Sequence, residues 1–470
     1  MTNASSGAPV SRRAAPQANT AARQGEGTPV SRRRTIVATT IGNALEFFDF
    51  TVYGFLALVI GKVFFPTFNS YGQLLLTVAS FGVGFVMRPL GGIVIGAYAD
   101  RAGRKKAMTL TIFLMALGCA TIAFTPAYAQ IGVAAPLLIV LARLIQGFSA
   151  GGEVGASTTL LVEHATPANR GYMASWQFAS QGLGILLGAL VVGVLTAALS
   201  PQAMESWGWR VPFLIGMLIA PVGMYIRRHL EESLEITEVP LHAPPRRSSL
   251  AEVCSQHGKV VLAATLSVIG GTAAAYVVTF YMPTYAIREL GLPPPVALFG
   301  AALTGLLSFG LAPFVGRWSD RVGRKRLIVW SRVALSLMIY PGFLWLNASP
   351  TPAVLLIVVG LLSATLVIQT VPGITMLPEM FPKRVRASGM SLVYSVGVAL
   401  FGGFSPLISA WLVNATGNKL APAWYLLVVS LVSMLGLLWM KDFTGKDIDA
   451  ASAHEPAGKD LHAADARQAA

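Results

Sequence analysis

Long apolar runs separated by short polar connectors dominate the chain. They fall at roughly 36–60, 73–98, 107–126, 133–161, 172–198, 210–227, 260–286, 296–316, 327–346, 352–377, 388–413 and 421–440. A helix rises about 1.5 Å per residue, so runs of this length match a hydrocarbon core about 30 Å thick. The pattern predicts an all-α membrane protein with twelve transmembrane helices.

The connectors carry an internal repeat. "GAYADRAGRKKAM" starts at Gly96 and "GRWSDRVGRKRLI" at Gly316, and both fit G-x-x-x-D-R-x-G-R-K. A second pair, "EHATPANRG" from Glu163 and "EMFPKRVRASG" from Glu379, recurs at nearly the same offset. Basic turns that only set topology would explain the Lys and Arg. They would not explain an Asp and two Gly at matching positions. The repeat therefore predicts two pseudo-symmetric six-helix bundles, residues 35–227 and 260–441, with a substrate site between them near mid-membrane. The polar stretch 228–259 reads as a cytoplasmic linker, and 1–34 and 442–470 as disordered cytoplasmic tails.

Composition agrees with a membrane protein: 54% of residues are hydrophobic and 12% charged, where soluble domains carry about a quarter charged. The net charge of +14 would suggest nucleic acid in a soluble protein. Here the Lys and Arg concentrate in alternate connectors, which is the positive-inside pattern and puts both termini in the cytoplasm of a cell that inserts the chain in its inner membrane. Nucleic acid is not implied. The two cysteines, Cys119 in an apolar run and Cys254 in a connector, read as a buried filler and a free thiol rather than a disulfide or metal pair. The six histidines all lie in connectors or tails, and no G-x-x-x-x-G-K-[ST] loop is present. The sequence therefore offers no enzyme, metal site or ATP-driven pump, and calls for no cofactor.

Several segments together resemble a known family. The paired loops are similar to the signature of the major facilitator superfamily. "GNALEFFDFTVYG", "RPLGGIVIGAYADRAGRK", "RLIQGFSAGGEVG", "YMPTYAIRELGL" and "FGGFSPLISAWL" resemble the metabolite:proton symporters within it, and most of all the citrate and tricarboxylate symporters. The likeness runs from about Arg34 to Lys441. It implies secondary active symport of a small organic anion with a proton by alternating access, by a protein working as a monomer in the bilayer. Phe47–Phe48 departs from the family, whose members show an aromatic pair with a Trp and a Tyr there. Other substrates remain open: shikimate, 2-oxoglutarate, aromatic acids, or a zwitterion such as proline or betaine. A channel or uncoupled facilitator is the alternative of a different class, although its symmetric pore-lining rings are not matched by charges confined to one half.

Charged residues inside spans are expensive and functional by default. They are Glu46 and Asp49 in span 1, Arg88 in span 2, Arg143 and Glu153 in span 4, and Arg332 in span 9. Arg332 stands near a span end and is expected to snorkel to the surface. Helical rise places Asp49 roughly 20 Å from the start of its span and Arg143 roughly 15 Å from the other face, both near the middle. Glu46 and Asp49 share a helix face with Asn43 and Tyr53. Two desolvated carboxylates at this spacing raise each other's pKa, as proton coupling requires, so Asp49, Glu46 and Glu153 are the proton-coupling candidates. A structural ion pair with Arg88 or Arg143 is the competing reading of the two span-1 carboxylates. Arg143 matches carboxylate geometry bidentately and leads the substrate-binding candidates, with Arg88, Asn43, Tyr53, Gln146, Tyr276, Gln369 and Tyr394. The carboxyl-terminal half is expected to offer the cavity only neutral polar groups.

Asp100, Arg104, Glu163, Asp320, Arg324 and Glu379 sit at the membrane surface, too shallow for substrate. They are expected to form a latch whose ion pairs exchange between conformations. As plain topology determinants they would contribute little, as exposed pairs do. Labelling of single cysteines by an impermeant reagent tests the topology. Sites near Asn69, Pro201 and Asn347 should react from outside, and one near Ser248 only after permeabilisation. Ready outside labelling near Ser248 would reverse the assignment.

Overall fold

The computed structural model describes residues 29–102, 104–151, 153–217, 221, 249–382 and 385–448. Among these residues every regular element is helical. Helices stand at all twelve predicted spans: α1 (Thr40–Phe55 with Ala57–Phe64), α2 (Ser70–Ile95), α3 (Thr109–Phe124), α4 (Ala134–Ala150, then Glu153–Glu163), α5 (Arg170–Ala198), α6 (210–217 and 221 described), α7 (Val253–Arg288), α8 (Pro294–Val322), α9 (Arg324–Ala348), α10 (Pro352–Glu379), α11 (Arg386–Thr416) and α12 (Ala421–Trp439). Of the stretch expected to be a linker, 228–259, residues 228–248 lie outside the described residues.

Local chemistry explains many of the boundaries. Asn69 caps α2 by accepting from the Gly72 N–H at 2.8 Å, and Thr351 caps α10 through Val354 N–H. Proline opens α8 and α10, where its missing N–H has no helical partner to lose. α1 bends by 64° between its two segments. π-turns interrupt α7 at Val277–Tyr281 and α11 at Ala399–Gly403. Such turns re-aim side chains and recur at functional sites; here they flank the Tyr276 side chain on one helix and the contact with α2 on the other.

The outer face carries large apolar side chains, among them Phe113, Phe124, Leu337, Leu431 and Trp439. Inside, glycine sets how closely helices approach. α2 and α4 cross with backbone on backbone: a Cβ on Gly147 would collide with the Gly84 carbonyl, and one on Gly84 would stand 2.8 Å from the Arg143 carbonyl. In a lipid setting, where packing and not water exclusion drives helix association, such small-residue contacts hold helices together. This crossing fixes where the Arg143 side chain emerges.

The two bundles meet most extensively along α5 and α8. On the face that carries the ends of the described chain, Gly171 and Gly316 lie against one another, and a Cβ on Gly316 would be 2.5 Å from the Gly171 carbonyl. On the opposite face Arg288 donates to the Ser70 carbonyl at 2.8 Å and hydroxyl at 3.0 Å, and the Tyr71 hydroxyl donates to Glu289 at 3.0 Å. The halves are thus tied on both faces.

Gly147→Val should wedge α2 from α4 at a cost of about 1–3 kcal/mol or more, seen as a lower thermal midpoint in detergent. Gly310→Ala, where a Cβ meets nothing within 4 Å, should leave that midpoint unchanged or raise it. Equal midpoints for Gly147→Val and the parent protein would remove the crossing as a stabilising contact.

Candidate functional site

Glu46 points from α1 to α2, where its carboxylate pairs with Arg88 at 2.9 Å with both side chains 2% exposed. The Arg88 guanidinium also lies over the Phe85 ring at 4.2 Å and the Phe50 ring at 4.8 Å. It reaches the Tyr276 hydroxyl of the other half. A buried pair of this kind is compensated on the charge side by its partner and on the faces by the π-clouds.

Asp49, one turn further on, faces the interior of the amino-terminal bundle. A Cβ on Gly216 of α6 would collide with its Oδ1, and Cys119 of α3 lies beside it. That Oδ1 has no hydrogen-bond partner. Arg143 stands in the same compartment. It donates to Gln146 Oε1 at 2.7 Å, and Gln146 donates in turn to Cys119 Sγ at 3.2 Å. The Arg143 Nε and Nη2 have no partner, and its plane is sandwiched by Tyr53, Phe50 and Phe81 at 4.4, 4.8 and 5.2 Å. No ion pair joins Asp49 to Arg143 among the described residues, although each lies in the other's field. Carboxylate and guanidinium are therefore both buried with no ion pair between them, and Gln146 and Cys119 link them: Arg143 donates to Gln146, Gln146 to Cys119, and Cys119 is hydrogen-bonded to Asp49.

The remaining predicted polar groups of this half are occupied within it. Asn43 donates to the Gln177 carbonyl at 3.0 Å and the Ser180 hydroxyl at 2.8 Å, and Tyr53 shares a hydrogen bond with Ser80 at 2.5 Å. The side chain of Glu153 lies outside the described residues.

A cavity of about 80 Å³ opens between the halves. Tyr276, Gln369 and Tyr394 line it, joined by Gln181, Thr370 and Arg332. Glu46, Asp49, Arg88, Arg143, Asn43, Tyr53 and Gln146 do not border it. Arg332 corrects the sequence reading. It is 3% exposed and turned inward, donating through Nε to Gln369 Oε1 at 3.1 Å and through Nη1 to the Ser267 carbonyl at 3.0 Å and the Ser433 hydroxyl at 2.7 Å. The reason is rotational: Ile328, Arg332, Leu335, Ile339 and Phe343 form one buried stripe of α9, whereas Trp330, Val333 and Leu337 face outward. The stripe was present in the sequence, and nearness to a span end outweighed it. The carboxyl-terminal half thus brings a cation to the cavity as well as neutral groups.

The terminal face carries a dense ionic network. Both Asp320 oxygens accept from the first free N–H groups of α5, Gly171 at 2.8 Å and Tyr172 at 3.0 Å. A carboxylate from one half thereby caps a helix of the other, where the helix dipole favours negative charge. Arg324 pairs with Asp320 at 3.1 Å and with Glu379 at 2.9 Å, Arg170 reaches Glu379 at 3.6 Å, and Arg386 reaches Glu163 at 3.5 Å. Arg170 and Arg386 escaped the sequence reading because their partners lie far along the chain. Asp442 anchors the start of α9 by accepting from Lys325 N–H at 3.0 Å. Burial pushes the Asp442 carboxyl up, but hydrogen bonds from Thr444 and Lys325 and the Arg324 charge outweigh it and hold the group below its usual range. The side chains of Asp100 and Arg104 lie outside the described residues.

The family model described as Major Facilitator Superfamily matches residues 39–339 and 301–462. The chain belongs to the major facilitator superfamily. This major facilitator protein is 38% identical to a citrate-proton symporter of Salmonella typhi, over 87% of the chain and 94% of that relative. A citrate-proton symporter of Klebsiella pneumoniae is 37% identical over 87% and 92%. A glycine betaine/proline/ectoine/pipecolic acid transporter of Dickeya dadantii is 35% identical over 91% and 86%. Its fold is that of the proton:xylose symporter XylE of E. coli, with a TM-score of 0.68 at 16% identity over 90% of this chain and 99% of that one. Such relatives make the chain a multi-pass membrane transporter and not an enzyme.

Removing one member of a buried pair leaves the other uncompensated, which costs about 3–5 kcal/mol. Arg88→Leu should therefore lower the thermal midpoint markedly, and Glu46→Leu with Arg88→Leu should restore most of the loss. Unfolding in detergent reads both. A double variant no more stable than the single would show that Glu46 does not depend on Arg88.

Proposed function

We propose that the chain is a proton-coupled symporter that takes up citrate or another di- or tricarboxylate by alternating access. On this reading it works as a monomer in the lipid bilayer of the inner membrane. Both termini are cytoplasmic, and the ionic network of the terminal face is its inner gate. Similarity to two citrate-proton symporters over most of their length supports the substrate class. The observation that carries the coupling is that buried Asp49 and buried Arg143 share one compartment without an ion pair, each keeping polar atoms that no partner satisfies.

A buried carboxyl and guanidinium at close range have two stable arrangements. With a proton on Asp49 the attraction is gone, and Arg143 rests against Phe50, Tyr53 and Phe81. With the proton lost, the carboxylate draws the guanidinium away from the rings. Phe81 of this aromatic group packs across the halves on Phe280, with centroids 5.4 Å apart, and its neighbour Phe85 packs on Tyr276 at 5.5 Å. Protonation is therefore felt at the contact between the halves and on a wall of the cavity. Cells keep the proton potential higher outside, so Asp49 loads there and the halves rock with substrate enclosed. The proton leaves into the cytoplasm as Asp320, Glu163 and Glu379 release Arg324, Arg170 and Arg386.

Asp49→Asn copies the protonated form. In proteoliposomes it should keep counterflow exchange of labelled citrate and lose accumulation driven by a pH gradient, falling to the level of simple equilibration. A variant that still concentrates citrate as the parent does would remove Asp49 from the coupling step.

A further inference from the structure

Arg332 is a buried cation whose hydrogen-bond partners among the described residues are all neutral, namely an amide oxygen, a backbone carbonyl and a hydroxyl. No Asp or Glu pairs with it among the described residues. A guanidinium in a membrane interior without a carboxylate is costly, and marks a ligand pathway more often than a structural tie. Its fourth and fifth donors are on Nη2, which none of these bonds uses.

Gln369 points the same way. Its Oε1 accepts from Arg332 Nε, which fixes the amide orientation and turns Nε2 outward as a donor. That Nε2 has no partner although Gln369 is only 2% exposed, and the neighbouring Thr370 hydroxyl is also unpartnered. All three side chains line the cavity. The two free nitrogens converge on Gly271, where a Cβ would stand 3.1 Å from Gln369 Nε2 and 3.5 Å from Arg332 Nη2. Glycine here leaves open the space directly in front of both donors. A cluster with a cation, an oriented N–H and no acceptor facing outward suits a carboxylate, which guanidinium matches in a planar, charge-assisted way.

We propose that Arg332, Gln369 and Thr370, fronted by Gly271, form an anion subsite in the carboxyl-terminal half that binds one carboxylate of the substrate. It rests on the reading of the chain as a di- or tricarboxylate symporter and specifies how that substrate is held. One carboxylate enters the Arg332 subsite while the rest of the molecule lies towards Tyr276, Tyr394 and Gln181. Substrate then neutralises a buried charge that has no carboxylate partner, and joins the two halves through the amino-terminal residues on the facing wall.

The test measures binding of citrate, tricarballylate and glutarate to the full-length protein in detergent, together with thermal midpoints. Arg332→Gln should weaken tricarboxylate binding at least tenfold and reduce the preference for citrate over glutarate to near parity. Gly271→Ala keeps the charge and covers the donors; it should weaken citrate binding several-fold with an unchanged midpoint. Arg332→Lys should recover part of the affinity. If Arg332→Gln and Gly271→Ala bind citrate as the parent protein does, the subsite is overturned while the symporter reading stands. Equal losses for all three acids in Arg332→Gln, with normal citrate binding in Gly271→Ala, would make Arg332 a structural residue and also overturn it. A parent protein that binds proline or betaine and none of the acids would overturn both readings.

Discussion

A charge in the hydrocarbon interior must find its compensation inside the protein, because no water reaches it there. This molecule meets that constraint in three ways. Arg88 has a carboxylate and two ring faces. Arg143 has a glutamine and three rings, and no carboxylate forms an ion pair with it among the described residues. Arg332 has only neutral acceptors and an opening beside it. Moving from Arg88 to Arg332, compensation becomes less complete and more replaceable by something mobile. In the proposed symport cycle a proton serves that purpose at Asp49, and a carboxylate of the substrate does at Arg332. In that cycle charge imbalance ties the two events together.

The backbone makes such side chains possible. Glycine contacts between α2 and α4 leave no room for slippage around Arg143, and the crossing of α5 with α8 brings Asp320 onto the start of α5. The G-x-x-x-D spacing of the second loop motif gains a physical meaning from this. Gly316 lets the helices touch, and Asp320, one turn later on the same face, caps the helix it touches. A cap formed only when the two halves are together makes closure of that face a hydrogen-bonded state rather than a loose approach.

Much of this was legible in the sequence. Long apolar runs dictate spanning helices, the repeated loops dictate two related halves, and a Glu and an Asp in span 1 announce an interior of unusual cost. The site was legible less evenly. Tyr276, Gln369 and Tyr394 were read onto the cavity, while Asn43, Tyr53 and Gln146 proved to be engaged inside one bundle. Sharing a helix face does not say which neighbour that face meets. Arg332 faces inward because rotational phase, not depth along the span, decides where a side chain points; its stripe with Leu335, Ile339 and Phe343 gives the phase, and the Ser267 carbonyl and Ser433 hydroxyl accept its hydrogen bonds. Pairs such as Arg170 with Glu379 depend on packing across the halves and have no local signal.

The account turns on a carboxyl that holds a proton in one conformation and yields it in another. Infrared difference spectroscopy reads this directly, since a protonated carboxyl has a carbonyl stretch that carboxylate lacks. Spectra of the purified protein should be recorded on adding citrate, at a pH where uptake is active, for the parent protein and Asp49→Asn. The account predicts a protonated-carboxyl band that changes on citrate binding in the parent protein and is missing in Asp49→Asn. The same band, unaltered in the variant, would show that the proton resides elsewhere and would contradict it.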